Sequence, residues 1–169
     1  MVAEQEVPMF DKAHFRTVLG SYPTGVCLIT AIDAAGVRTG MVVGSFTSIS
    51  LDPPLVGFFP DKGSNTFPGI ERAGRFCVNV LGSEQLALCQ RFASKQPDKF
   101  LDLAHGESPS GQPVFDEALA WIDCRIERIE DIGDHWLVVG RVEALDLCGG
   151  DAPLLFHRGG YHSSVALDR

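Results

Sequence analysis

A chain of 169 residues with 45% hydrophobic side chains has the length of one ordinary domain and enough apolar material for a core. Fourteen Lys and Arg stand against twenty-two Asp and Glu, and a formal charge of -8 repels a phosphate backbone, which excludes nucleic acid as a partner. No stretch approaches the roughly 18 apolar residues that span a bilayer, and the opening MVAEQEVPMF lacks the basic and apolar regions of a signal peptide, so a cytoplasmic protein without membrane contact is expected.

Residues 1–9 read as a disordered tail of a single domain over 1–169. A short helix follows at 10–20, with Asp11 as N-cap, Phe10 and Phe15 as a hydrophobic staple and Gly20 as the stop. After Pro23 the pattern turns to strands: 25–32, a turn at 33–36, a run from 37 to 50 that Asp52, Pro53 and Pro54 break, and a third run at 55–59. The loop DKGSNT at 61–66 leads into a short helix, 76–81 is a strand, and Ser83 caps a helix that runs through Phe92. Residues 93–112 are polar and loop-like. Two long strands, 118–130 and 135–147, join through the hairpin turn 131–134, and 153–161 supplies a last short strand. The predicted fold is mainly β: an antiparallel six- or seven-stranded barrel with a few short helices and no βαβ pattern.

Four stretches could carry chemistry. In GMVVGSFTSISLDPP (40–54), Gly40 and Gly44 would let backbone approach a ligand, and strand alternation would set the hydroxyls of Ser48 and Ser50 on one face. As a plain structural element it is a strand with a polar outer face. DKGSNTF (61–67) places Lys62, Ser64, Asn65 and Thr66 at a predicted helix start, where unpaired N–H groups attract an anion; capping by Asn65 or Thr66 is the structural alternative. His135 follows a hairpin turn, where a histidine titrates near neutrality and can donate a proton or simply face water. HRGGY (157–161) combines a cation, two glycines and an aromatic ring in what is otherwise a turn.

The absences matter as well. Cys27, Cys77, Cys89, Cys124 and Cys148 are scattered and never form C-x-x-C, so buried free thiols are expected rather than disulfides or a metal site. There is no G-x-G-x-x-G after a strand, no P-loop and no nucleophile elbow, so a nucleotide would need another kind of seat.

Six segments in order, FRTVLGSYPTGV (15–26), SFTSISLDPPLV (45–56), GRFCVNVL (74–81), DKF (98–100), GDH (133–135) and PLLFHRGGY (153–161), resemble the short-chain flavin reductases of the FMN-binding split-barrel fold. These are the reductase components of two-component flavin-dependent monooxygenases, and RFCVNVL, SKQPDKF and AWIDC are similar to those serving aromatic and steroid-ring hydroxylases. The resemblance implies a Greek-key split barrel, a homodimer, FMN or FAD as flavin, NADH or NADPH as co-substrate, and a monooxygenase that receives reduced flavin by diffusion. Carried over by position, it implies flavin contacts at Val42, Gly44, Ser45, Ser48, Ile49, Ser50, Lys62, Ser64 and Thr66, with Arg158 and Tyr161 on the nicotinamide side and His135 at the hydride-transfer site. Val42 and Gly44 depart from the family's polar residues, so backbone amides must serve there and the flavin is held modestly. FMN and NADH are the pair that likeness favours. The competing reading is a non-catalytic flavin-binding or electron-carrier protein on the same barrel.

Overall fold

The computed structural model describes residues 10–150 and 152–167, and the tail expected at 1–9 lies outside them. Helix α1 is Lys12–Gly20, capped as expected by Asp11, whose Oδ1 accepts the Ala13 N–H at 3.1 Å. Strands β1 (Thr24–Gly25), β2 (Cys27–Ile32) and β3 (Arg38–Val43) follow; Asp33 closes the β2–β3 turn by accepting the N–H groups of Ala35 and Val37. The run expected from 37 to 50 is interrupted. It makes two strands, β3 and β4 (Thr47–Leu51), and β4 turns back on β5 (Pro54–Phe58).

Helix α2 (Phe67–Ala73), β6 (Arg75–Val80), a 3₁₀ turn at Ser83–Gln85 and α3 (Leu86–Ala93) come next. Ser83 therefore opens a 3₁₀ turn rather than capping α3. The predicted loop 93–112 contains β7 (Gly106–Glu107), which pairs with β8 (Pro113–Val114). Strands β9 (Ala120–Ile132) and β10 (His135–Leu147) form the long hairpin read from the sequence, and the last predicted strand is itself a hairpin, β11 (Leu154–His157) with β12 (Gly160–Ser163).

The main sheet is seven-stranded and antiparallel in the order β3-β2-β6-β9-β10-β5-β4. Its edges are β3 and β4, so the two halves of one apolar run in sequence end at opposite sides of the sheet. No ladder joins those edges among the described residues. Strand β2 is buried on both faces, which explains its unbroken apolar run. Ile29 packs with Phe58, Ile70, Phe76 and Val138, while Leu28 packs with Leu81, Cys89, Phe92 and Phe115 on the other side. Each such ring or branched chain contributes roughly 1.5–3 kcal/mol of burial. Gly140, opposite a bulge in β9, leaves room for Phe76: a Cβ there would stand 2.4 Å from its Cζ. Four of the five thiols are buried as expected and all are free; Cys148 is exposed. Among the described residues no helix is long and apolar enough to cross a membrane.

Asn79, fully buried on β6, ties the sheet to the segment beyond it. Its Nδ2 lies 3.2–3.3 Å from Leu28 O, Thr30 Oγ1 and Pro113 O, and its Oδ1 accepts the Phe115 N–H at 2.9 Å. An unpaired buried donor costs about 1–3 kcal/mol. Asn79→Ala is expected to lower unfolding free energy by that amount in urea denaturation, and an unchanged midpoint would show the network to be dispensable.

Candidate functional site

A cleft of about 640 Å³ opens between the start of β3, the approach to α2 and the loop that leaves α3. That is well inside the range of roughly 300–1,000 Å³ typical of small-molecule sites. Its walls carry Arg38, Lys95 and Lys99, with Asn65 and Thr66 between them. The loop is folded back by Arg91, whose Nε donates to Lys99 O at 2.7 Å and whose Nη2 donates to Leu101 O. Lys99 Nζ donates to Phe92 O at 2.6 Å, and partial burial lowers its pKa. Phe100 is buried at the floor, with the Arg38 guanidinium 5.3 Å from its ring centroid. Cations, hydroxyl and amide together form a donor set suited to phosphate. Sequence reasoning assigned no role to Arg38, Lys95, Lys99 or Phe100. The run SKQPDKF was visible, but nothing in it announced that Arg91 would bend it against β3.

The expected ligand-approach glycines are used by the protein itself. A Cβ on Gly40 would lie 2.4 Å from Phe92 Cε1, and one on Gly44 would lie 2.7 Å from Thr24 Oγ1. Ser45 Oγ accepts the Phe59 N–H at 3.0 Å and so fastens the 44–46 link to the end of β5. Val42 is half-buried against the α3 cluster. The alternation expected of Ser48 and Ser50 is broken by a bulge: Ser48 faces Val56 and Ser50 faces Leu55, with the bulged Ile49 half exposed over Gly57.

Ser64, rather than Asn65 or Thr66, caps α2. Its Oγ accepts the N–H groups of Thr66 and Phe67, both at 3.2 Å, which leaves the hydroxyl hydrogen free to donate. The Thr66 side chain makes no capping bond. The ammonium of Lys62 turns away from the cleft to the β9–β10 hairpin, donating to Asp131 Oδ1 at 2.7 Å and Gly133 O at 2.6 Å and sitting 5.1 Å from the Trp136 ring centroid. Backbone bonds from Lys62 N to Asp134 O and from Trp136 N to Pro60 O complete the seam. His135 lies in that seam, paired with Asp61, and its side chain is 41% exposed. Its Nδ1 is 2.6 Å from Asp134 Oδ1. This hydrogen bond, then the charge of the imidazolium form, holds the Asp134 carboxyl below the usual carboxylate range.

Arg158 and Tyr161 are not brought to the 640 Å³ cleft. Arg158 occupies a left-handed conformation at φ 49 in the β11–β12 turn, and its N–H donates to Gly20 O; a second cleft, of about 460 Å³, lies there between it and Arg16. Tyr161 packs under α3, where a hydrogen bond with the Cys89 thiol, and then burial, push its hydroxyl up to about 12.

The family described as "Flavin reductase like domain" matches residues 19–164. A flavin reductase of Pseudomonas putida is 52% identical over 157 residues, covering 93% of this chain and 92% of that protein. The reductase subunit HsaB of a flavin-dependent monooxygenase from Rhodococcus jostii is 50% identical over 151 residues, covering 89% and 77% respectively. In structure, nitrilotriacetate monooxygenase component B from Mycobacterium thermoresistibile superposes with a TM-score of 0.87 at 41% identity, over 94% of this chain and 93% of that one. The match runs from the end of α1 through β12 and takes in the cleft, the bulged strand and the His135 hairpin, so the chain belongs to the flavin reductase-like family.

Proposed function

We propose that this chain is an NAD(P)H-dependent flavin reductase that carries hydride from NADH or NADPH to FMN or FAD and supplies reduced flavin to a flavin-dependent monooxygenase. One observation carries the reading: within the matched region, a phosphate-sized donor set at the cleft and a histidine hairpin flank the same hydroxyl-rich segment. When bound, flavin and nicotinamide supply the redox chemistry, and the protein's part is to bind, align and exclude water.

The free hydroxyl hydrogens of Ser64 and Thr66 serve the flavin phosphate, with Lys99 as the neighbouring cation. Val42, Gly44, Ser45, Ser48, Ile49 and Ser50 follow the ring edge, largely through backbone groups because the first two have no polar side chain. With Asp134 ionised, Nδ1–H of His135 donates to it, and Nε2 is the nitrogen free to orient the nicotinamide carboxamide or pass a proton. Lys62 supports that histidine through the hairpin rather than by touching flavin with its ammonium. Arg158 and Tyr161 remain on the nicotinamide side.

The reading also includes a homodimer and a single domain over 1–169. Helix α1 has no buried residue, and it exposes Phe15, Val18 and Leu19, an apolar face of the kind a second copy covers. Free thiols throughout agree with a cytoplasmic location.

Three outcomes are expected. His135→Ala lowers the rate of hydride transfer at least about tenfold in stopped-flow reduction while FMN affinity stays within about twofold; unchanged reduction removes the role. Lys62→Met raises KM for the nicotinamide nucleotide several-fold, leaves FMN affinity nearly intact and is rescued by Lys62→Arg; a loss of FMN binding instead returns the ammonium to the flavin. Ser64→Ala combined with Thr66→Ala weakens FMN about a hundredfold or more, in line with about 1.5–3 kcal/mol for each of two hydrogen bonds to a charged group, and weakens riboflavin far less. Equal losses for both ligands overturn the phosphate assignment.

A further inference from the structure

Two of the five histidines already have polar partners: His105 lies against Arg38 and Gly106 O, and His135 against Asp134. His157 and His162 do not. Among the described residues no hydrogen bond or ion pair engages their ring nitrogens, and the two imidazoles face each other on the β11–β12 hairpin, with centroids 5.8 Å apart and planes at 63°.

The register of the hairpin brings them together. Leu155 pairs with His162 and His157 with Gly160, so residues 155, 157, 160 and 162 share one face and the two histidines are diagonal neighbours on it. Gly160 decides how they meet. A Cβ there would stand 3.3 Å from His162 Nε2, so the His162 ring lies back along β12, over the residue opposite His157, in space that a side chain would contest. Phe156 and Tyr161 take the other face, 5.3 Å apart, and Tyr161 packs under α3. The histidine face therefore looks outward, with His157 half-buried and His162 exposed.

Neutral imidazole is a common metal ligand. With an ion about 2.0–2.1 Å from each ligating nitrogen, two imidazoles that share it at a tetrahedral angle have ring centres roughly 5–6 Å apart, which is the separation found here. Nitrogen pairs of this kind suit Cu²⁺ and Zn²⁺, whereas Mg²⁺ and Ca²⁺ take oxygen ligands. We infer that His157 and His162 form a two-histidine site for a transition-metal dication, Cu²⁺ or Zn²⁺, on the outer face of this hairpin. Among the described residues no third His, Cys, Asp or Glu joins them, so water completes the shell and the ion exchanges freely. Bound there, it braces β11 to β12 across the turn in which Arg158 takes φ 49. The inference does not depend on the flavin reductase reading.

The experiment is isothermal titration calorimetry of the full chain, free of any polyhistidine tag, with CuCl₂, ZnCl₂ and MgCl₂, together with electron paramagnetic resonance of the Cu²⁺ complex. One saturable ion per chain is expected, tighter for Cu²⁺ than for Zn²⁺ by about tenfold or more in keeping with the order of divalent affinities, with no binding of Mg²⁺ and with hyperfine splitting from two nitrogens. His162→Ala, at an exposed position, and His157→Gln should each weaken both metals about tenfold or more, and Zn²⁺ should raise the melting temperature of the unaltered chain but not of His162→Ala. Melting without metal verifies that each variant folds, and His162→Ala alone serves if His157→Gln does not. Cys148→Ser tests the exposed thiol as a rival ligand and should change affinity less than twofold. No saturable binding, a Cu²⁺ spectrum with a single nitrogen, or histidine variants that bind as tightly as the unaltered chain would reduce the pair to edge-to-face packing and overturn the site. Loss of the ion in Cys148→Ser moves it to the thiol and overturns it as well.

Discussion

The side-chain amide of Asn79 lies fully buried between two apolar clusters, and the shape of the cleft follows from the hydrogen bond its Oδ1 accepts from Phe115 N–H. That bond places the Phe115 ring against Phe92 and Phe100, at 5.8 and 6.2 Å between centroids. Phe92 in turn occupies the hollow above Gly40, and Phe100 becomes the platform under Arg38. A polar group in a dry interior has little freedom, since every arrangement that leaves it unpaired is costly. The aromatic wall of the cleft therefore inherits its rigidity from a strand residue in the middle of the sheet. Thr30 joins the same node, its Oγ1 donating to Pro113 O at 2.6 Å.

A second seam supports the other side of the site. Residues 60–62 run alongside 134–136 through backbone bonds, and the Lys62 ammonium ties itself to Asp131 and Gly133 at the hairpin tip. Exposed ion pairs contribute little on their own, on the order of 0–1 kcal/mol. Here the same nitrogen also satisfies a backbone carbonyl and faces an aromatic ring, so its chief effect is to fix the direction in which the hairpin points. His135 sits one residue beyond that turn, oriented by Asp134. A histidine on a freely moving hairpin tip would have no defined Nε2 position to offer a nucleotide.

Charge placement separates cations in ion pairs from cations that line clefts. Arg75 and Arg125 converge on Glu143, and Arg141 pairs with Glu127 across the long hairpin. Arg91 is spent on loop carbonyls. The remaining cations that face clefts do so in two groups, one around the large cleft and one where Arg16 and Arg158 meet. Arg158 is held there in a left-handed conformation that disfavours a side chain with a Cβ, a local cost sustained by the tight β11–β12 turn and its bond to Gly20.

Local chemistry was enough to read much of this protein from its residues. Asp11 capping α1, the apolar run of β2, the long β9–β10 hairpin, the free thiols and the family itself were all legible, because each depends on neighbours in the chain or on an ordered set of short motifs. Three features were not. The run from 37 to 50 looked continuous, yet β3 and β4 take opposite edges of the sheet, since Ser45 bonds to Phe59 and β5 captures β4. Gly40 and Gly44 looked ready for a ligand, yet Phe92 and Thr24 fill the space beside them. Lys62 belongs to a segment read as an anion site, while Arg38, Lys95 and Lys99 carry no signal that would assign them a role. Sequence alone determined which elements form and to which family they belong, because hydrogen-bonding periodicity and motif order are local properties. Which cations face the cleft, and which are consumed in holding it together, was decided only when contacts between residues dozens of positions apart closed around it.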